Sequence, residues 1–114
     1  LKAIREVDST KDMYVVITMS HPKGGDYFDI ENFCKLALEV GATGVVAPAT
    51  RPEDVAKVRN LVGDLEIISP GVGAQGGSSK DTIEAGANYI IVGRGIYLSD
   101  DPAAAAEKYS KELV

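Results

Sequence analysis

The sequence is poor in the residues that build metal and redox sites. It has one cysteine, Cys34, one histidine, His21, and no tryptophan in 114 residues. A single cysteine excludes an internal disulfide, and one cysteine with one histidine cannot make a structural zinc site. Cys34 falls at an apolar helical position and reads as core packing. Basic charge is scarce too: 12 Lys and Arg stand against 17 Asp and Glu, a net charge of −5. A protein that meets a polyanion normally presents a basic face, so no nucleic-acid partner is expected. A small anion remains possible, because one arginine and a few backbone N–H groups suffice. No apolar run reaches the roughly 18 residues of a membrane-spanning helix, and no signal-peptide pattern is present. The expectation is a soluble, cytoplasmic protein with no membrane partner, its acidic surplus forming solvated helix surface.

What is present is ordinary globular composition, 45% hydrophobic and 25% charged, in a chain long enough for one small domain and not two. The chain opens on Leu1 instead of Met, which leads to the expectation that it is a piece of something longer.

Read in order, Leu1, Ile4 and Val7 have helical spacing and resemble the last turns of a helix. Met13–Met19 is nearly continuous apolar and β-branched, as a strand buried on both faces is. It leads into a polar, Gly-containing loop, Ser20-His21-Pro22-Lys23-Gly24-Gly25. Apolar residues at 30, 33, 34, 37 and 38 mark one helical face, and Gly41 supplies its C-terminal stop. Gly44–Ala47 is the next strand. Thr50 with Glu53 predicts a capping box, and Pro52 suits a first helical turn. Val55, Val58, Leu61 and Val62 give the buried stripe of that helix, which Gly63 ends. Leu65–Ser69 is a third strand. Ser78 or Ser79 caps a short helix closed by Gly86, and Tyr89–Val92 is a fourth strand. Ile96-Tyr97-Leu98 reads as a turn. Asp100 or Asp101 caps a last helix with Pro102 at its start, and Tyr109 and Leu113 continue its face.

The unit of strand, loop, helix, glycine and next strand recurs four times, at a period of roughly 22 to 31 residues. Loops that leave strands carry Ser, His, Arg, Gln and Gly, whereas loops that enter strands are short and plain. That asymmetry places a site at the C-terminal ends of parallel strands. The richest exit is Ser69-Pro70-Gly71-Val72-Gly73-Ala74-Gln75-Gly76-Gly77, with four glycines in its last seven residues. The next strand ends in Gly93-Arg94-Gly95. Two neighbouring Gly-rich exits, one with an arginine, predict a pocket for an anion, most simply a phosphate.

Four such units with very short strands, and phosphate-like loops after the last two, predict an α/β fold that is half of an eight-stranded TIM (β/α)8 barrel, its strands counted five to eight. A lone half barrel has bare apolar edges at Met13–Met19 and Tyr89–Val92 that invite pairing. The expectation is therefore that residues 1–114 are the C-terminal half of one barrel domain. The N-terminal half would be absent from this chain and would be its partner.

Met19-Ser20-His21-Pro22, Thr50-Arg51-Pro52-Glu53, Ser69–Gly77 and Ile91–Tyr97 together resemble orotidine 5′-monophosphate decarboxylase of the archaeal type, over essentially the whole chain. The resemblance implies a barrel of the ribulose-phosphate-binding type, a homodimeric lyase of pyrimidine biosynthesis. It would convert orotidine 5′-phosphate to UMP with no metal or organic cofactor. It implies that Ser20 bonds the pyrimidine edge, and that Gln75 reaches the phosphate and bridges toward Ser20. Gly93 and Arg94 would clamp the phosphate, Pro70 and Val72 would wall the ring, and Val46 would line an apolar pocket near the departing carboxylate. Gly71 to Lys80, including Gly73, Ala74, Gly76 and Gly77, would close over bound nucleotide.

One departure is large. The family's Asp-x-Lys-x-x-Asp motif is absent here, so no catalytic residue is expected in this chain, and its Lys/Asp array belongs to the missing half. Two other readings stay open: a sister barrel acting on a sugar phosphate as decarboxylase, synthase or epimerase, and a non-catalytic half-barrel binding module. Blander roles also stand beside the sharp ones. Arg94 would pair with a surface carboxylate, Gln75 would be a solvated loop tip, Ser20 and His21 would be structural, and Arg51 would pair with Glu53 or Asp54.

Overall fold

The computed structural model describes residues 2–8, 10–16 and 30–113. Helices and strands alternate as α1 (Lys2–Val7), β1 (Tyr14–Val16), α2 (Ile30–Glu39), β2 (Gly44–Val46), α3 (Pro52–Val62), β3 (Glu66–Pro70), α4 (Ser79–Ala85), β4 (Tyr89–Ile91), α5 (Arg94–Tyr97) and α6 (Pro102–Lys111). The strands form one parallel sheet in the order β1-β2-β3-β4. Parallel neighbours in sequence order need a crossover each time, and α2, α3 and α4 supply it. This is half of the eight-stranded β/α-barrel pattern. Residues Ile17–Met19 of the expected first strand, and the loop from Ser20 to Gly25, lie outside the described residues.

Side chains sort cleanly by face. Val15, Val45 and Ile67 stand side by side in register and are buried against Ile30, Cys34 and Ala37 of α2 and Val55, Val58 and Val62 of α3. Burial pushes the Cys34 thiol pKa up, as expected of an inert core cysteine. The intervening positions point the other way. Val16, Val46, Ile68 and Tyr89 align across the sheet, and Val16, Tyr89 and Ile91 are 58%, 54% and 50% exposed. Parallel sheets are normally covered on both faces, and the exposure of these three side chains leaves this one open among the described residues.

Local chemistry explains most boundaries. Ser78 accepts the Asp81 amide at 3.3 Å and caps α4, and Asp101 accepts the Ala104 amide at 3.0 Å with Pro102 opening α6. The expected capping box of Thr50 and Glu53 does not form. The cap position of α3 is Arg51, without a side-chain bond, so Thr50 stands one residue too early and Glu53 falls out of register. Leu38 is exposed, because the buried stripe of α2 runs through Ile30, Cys34 and Ala37 and leaves it at the margin. The expected turn at Ile96–Leu98 is instead the short helix α5, which begins at Arg94.

One side chain ties the strand-entry end together. Arg59 of α3 donates to the Gly63 and Leu65 carbonyls at 2.6 and 2.7 Å, twice to the Gly86 carbonyl at 3.0 and 2.8 Å, and to Asn88 Oδ1 at 2.6 Å. Asn88 Oδ1 also accepts the Ile67 amide at 2.9 Å. One guanidinium thus links the end of α3, the approach to β3, the end of α4 and the approach to β4. At the same end, on the uncovered face, Tyr14 donates to the Glu66 carboxylate. It reaches across Gly44, where a Cβ would lie 2.8 Å from its Cε1.

Arg59→Ala is expected to cost about 2–3 kcal/mol by orphaning several carbonyls, and Arg59→Lys an intermediate amount, since an ammonium cannot fork. Urea denaturation of the barrel-complete protein measures both. The Tyr14 pKa is raised to about 12, chiefly by its hydrogen bond to Glu66. The neutral phenol is the form the fold favours, so its contribution is complete below pH 10 and lost as pH rises through about 12. In an ultraviolet titration of the five tyrosines, the late-titrating one should move back toward 10 in Glu66→Gln.

Candidate functional site

The site begins where β3 runs past its neighbours. The Ala47 amide donates to Ile68 O at 3.0 Å and the Ala49 amide to Pro70 O at 2.8 Å, so the β2 exit loop follows β3 to its end. Gly71, Gly73 and Gly76 then take φ of 98°, 80° and 92°, the left-handed region in which a side chain is strained. The segment closes on itself through Gly73 N to Gly77 O at 2.9 Å, Gly76 N to Gly73 O at 2.8 Å and Gly77 N to Gly71 O at 3.1 Å. Gly77 lies flat against the β2 exit: a Cβ there would sit 2.9 Å from Ala49 Cβ and 2.7 Å from Gly71 O. Gln75 folds back over Gly71, its Oε1 being 3.3 Å from where a Gly71 Cβ would stand. The amides of Ala74 and Gln75, within this closed segment, donate to no backbone carbonyl of the described residues.

Beside this segment β4 ends and α5 begins with Arg94. Among the described residues no carboxylate lies within ion-pair distance of Arg94. Arg51 does make its expected local pair, with Asp54 at 3.8 Å. A cavity of about 220 Å³ separates the two exits, lined by Pro70, Gly71, Val72, Ala74, Gln75, Ile91, Gly93, Arg94 and Tyr97. Its lining holds one cation and no carboxylate or lysine. That composition can hold an oxyanion by charge and by main-chain donors, but offers no acid–base pair for proton transfer. A larger groove of about 460 Å³ runs along α6. It is open to solvent, and its Lys111 is already paired with Glu107 at 2.9 Å.

Seven of the residues expected from sequence therefore meet at one cavity: Pro70, Gly71, Val72, Ala74, Gln75, Gly93 and Arg94. Gly73, Gly76 and Gly77 shape the segment without lining it. Val46 stands apart on the uncovered sheet face, and Ser20 lies outside the described residues. Ile91 and Tyr97 were not anticipated. Ile91 shares a strand face with Tyr89 by simple alternation, and Tyr97 lies one helical turn after Arg94, so both were within reach of pattern reasoning. Among the described residues there is no cluster of three His, Cys, Asp or Glu placed to hold a metal ion, and no helix is long and apolar enough to cross a membrane.

A parallel sheet with helices on one face, and an anion-sized cleft where two Gly-rich exits meet, define a protein of the β/α-barrel class, present here as half of the pattern. The orotidine 5′-phosphate decarboxylase / HUMPS family profile matches residues 1–109. The chain belongs to that family. It is 57% identical over 105 residues to orotidine 5′-phosphate decarboxylase of Methanococcoides burtonii, covering 90% of this chain and 49% of that protein. It is 42% identical over 117 residues to the enzyme of Thermococcus kodakarensis, covering 100% of this chain and 54% of the relative. Among solved structures, the Methanocaldococcus jannaschii enzyme complexed with the inhibitor BMP superposes with a TM-score of 0.85 at 35% identity, over 98% of this chain and 55% of that one. The Pyrococcus horikoshii enzyme superposes with a TM-score of 0.82 at 38% identity, over 97% and 55%. The chain spans about half the length of the relatives it matches.

The packing at Gly77 makes a specific contrast. Gly77→Ala should cost about 2–3 kcal/mol through backbone clash, and Gly76→Ala about 1 kcal/mol through its positive φ alone, since a Cβ at Gly76 meets nothing within 4 Å. Paired denaturation curves check the order.

Proposed function

We propose that this chain is the C-terminal half, strands five to eight, of a single (β/α)8 domain that decarboxylates orotidine 5′-phosphate to UMP. In this reading it supplies the grip on phosphate and pyrimidine. The observation that carries the reading is Arg94, which meets no carboxylate among the described residues, lining one cavity with Gly71–Gln75. Barrels commonly bind phosphate at the loops after strands seven and eight, and the two Gly-rich exits here follow the last two strands. The uncovered apolar face of Val16, Tyr89 and Ile91 is where the N-terminal half would complete the barrel.

The roles then divide as follows. Arg94 and the Gly93 amide clamp the phosphate, and the amides of Ala74 and Gln75 add main-chain donors. The Gln75 side chain reaches the phosphate and bridges toward Ser20, which bonds the pyrimidine edge. Pro70 and Val72 wall the ring, while Val46 lies deeper, toward the departing carboxylate. Ser78 caps α4, and Ser79 and Lys80 form its first turn, so a segment that closes over nucleotide ends at Gly77. The lysine and aspartates that act on the reacting carbon come from the N-terminal half, and the chain alone is inactive. Binding energy gathered at the unreactive phosphate is spent on organising the distant carbon, where protonation replaces the carboxylate. The complete enzyme is a homodimer.

Arg94→Ala in the completed enzyme should lower kcat/KM for orotidine 5′-phosphate by a factor that reflects about 3 kcal/mol or more, and lower it little for the phosphate-free nucleoside. Decarboxylation should appear only when this chain is mixed with the N-terminal half. Equal losses on both substrates, or turnover of a pentulose phosphate in place of the nucleotide, would overturn the assignment.

A further inference from the structure

Helix α6 is exposed along its length except at Ala105 and Tyr109, which are half-buried one turn apart. Tyr109 is the side chain that fills the space behind both Gly-rich exits. A Cβ at Gly73 would collide with Tyr109 Oη and lie 3.2 Å from its Cζ and 3.5 Å from Cε1. A Cβ at Gly95 would lie 2.5 Å from the same Oη, 3.1 Å from Cζ and 3.3 Å from Cε2. The phenol is therefore wedged edge-on, with one edge against the segment after β3 and the other against α5. Gly73 is two residues before Gln75, and Gly95 directly follows Arg94. Tyr109 does not line the cavity, and its hydroxyl makes no hydrogen bond among the described residues. Its contact is that of a rigid ring between two backbones that have given up their side chains to admit it.

We propose that Tyr109 is a positioning residue: a strut from the last helix that sets the separation of Arg94 from the Gly71–Gln75 segment. Through that spacing it tunes affinity for the phosphate end of the ligand. The proposal rests on the phosphate reading of the cavity for its functional consequence, but the strut itself is a separate physical claim. A ring with few torsions holds spacing better than a flexible chain, and a misplacement of about 1 Å in a clamp is costly. Removing it leaves Arg94 and Gln75 chemically intact while loosening both supports.

The test uses the completed enzyme with Tyr109→Ala, Tyr109→Phe, Gly95→Ala and Arg94→Ala. Tyr109→Ala should lower kcat/KM for orotidine 5′-phosphate about tenfold or more, mainly through KM, with a much smaller change for the phosphate-free nucleoside. Tyr109→Phe, which keeps the ring, should recover most of that loss. Gly95→Ala should weaken binding by pushing on the hydroxyl, and Tyr109→Phe in the same background should relieve it. In the Arg94→Ala background, Tyr109→Ala should add little, since the clamp it serves is gone. Where Arg94→Ala itself distinguishes the two substrates, equal loss on both from Tyr109→Ala, or full additivity with Arg94→Ala, would overturn the positioning role. Amide hydrogen exchange separates this from the phosphate reading: Tyr109→Ala should speed exchange in both Gly73–Gly77 and Gly95–Leu98 while sparing the Arg59 region. If Arg94→Ala fails to distinguish the two substrates while both segments loosen, the phosphate reading has failed and the strut stands. If neither or only one segment loosens, the strut is refuted whatever the kinetics.

Discussion

The hydrogen bond from the Ala49 amide to the Pro70 carbonyl is the constraint on which the rest of the site depends. It continues the β2–β3 pairing beyond the regular sheet and so fixes where the chain leaves β3. With that point set, Gly77 must return against Ala49, where no Cβ fits, and the six residues between Pro70 and Gly77 have little freedom. The glycines are less a source of flexibility here than the condition for a tight fit. Three of them accept backbone angles that another residue would resist, and the fourth admits a neighbouring strand's exit at contact distance.

Burial organises the same elements at a larger scale. Alternation along each strand sends Val15, Val45 and Ile67 to the helices and Val16, Val46 and Ile68 to the opposite face. A half-barrel pattern thus has a finished exterior and an unfinished interior. The cavity lies on the border between the two, at strand ends, where main-chain donors are not consumed by the sheet and where a single arginine need not be neutralised by the acidic surface elsewhere. A net negative charge and an anion held in this cleft would be compatible, because a few well-placed donors act locally while surface carboxylates are screened within about 8–10 Å.

Much of this was legible before any coordinates. Apolar runs of β-branched residues marked each strand, and glycines at the helix ends, with Ser78 and Asp101 before helices, marked the turns. The Gly-rich exits and Arg94 stood out by composition alone, and they do meet. Thr50 and Glu53 misled because a capping box is a matter of one-residue register, which α3 resolves in favour of Arg51. Leu38 misled because period alone cannot say where the centre of a stripe falls. Arg59 carried no signal, and Tyr109 only that of a helix face: an arginine mid-helix and a tyrosine on an alanine-rich helix are ordinary residues. Their importance comes from what lies 27 to 29 residues on for Arg59, and from two glycines well back in the chain for Tyr109. Such tertiary partners are invisible to local pattern.

The guanidinium of Arg59 and the arginine of the cleft sit at opposite ends of the same strands. One secures the seams between units; the other faces the cleft between the two glycine-rich exits. Mechanical integrity and chemical selectivity are in this way delegated to regions that share no side chain. Substitutions at the exits that leave the glycine packing in place can therefore change what the cleft accepts while the girdle beneath stays closed.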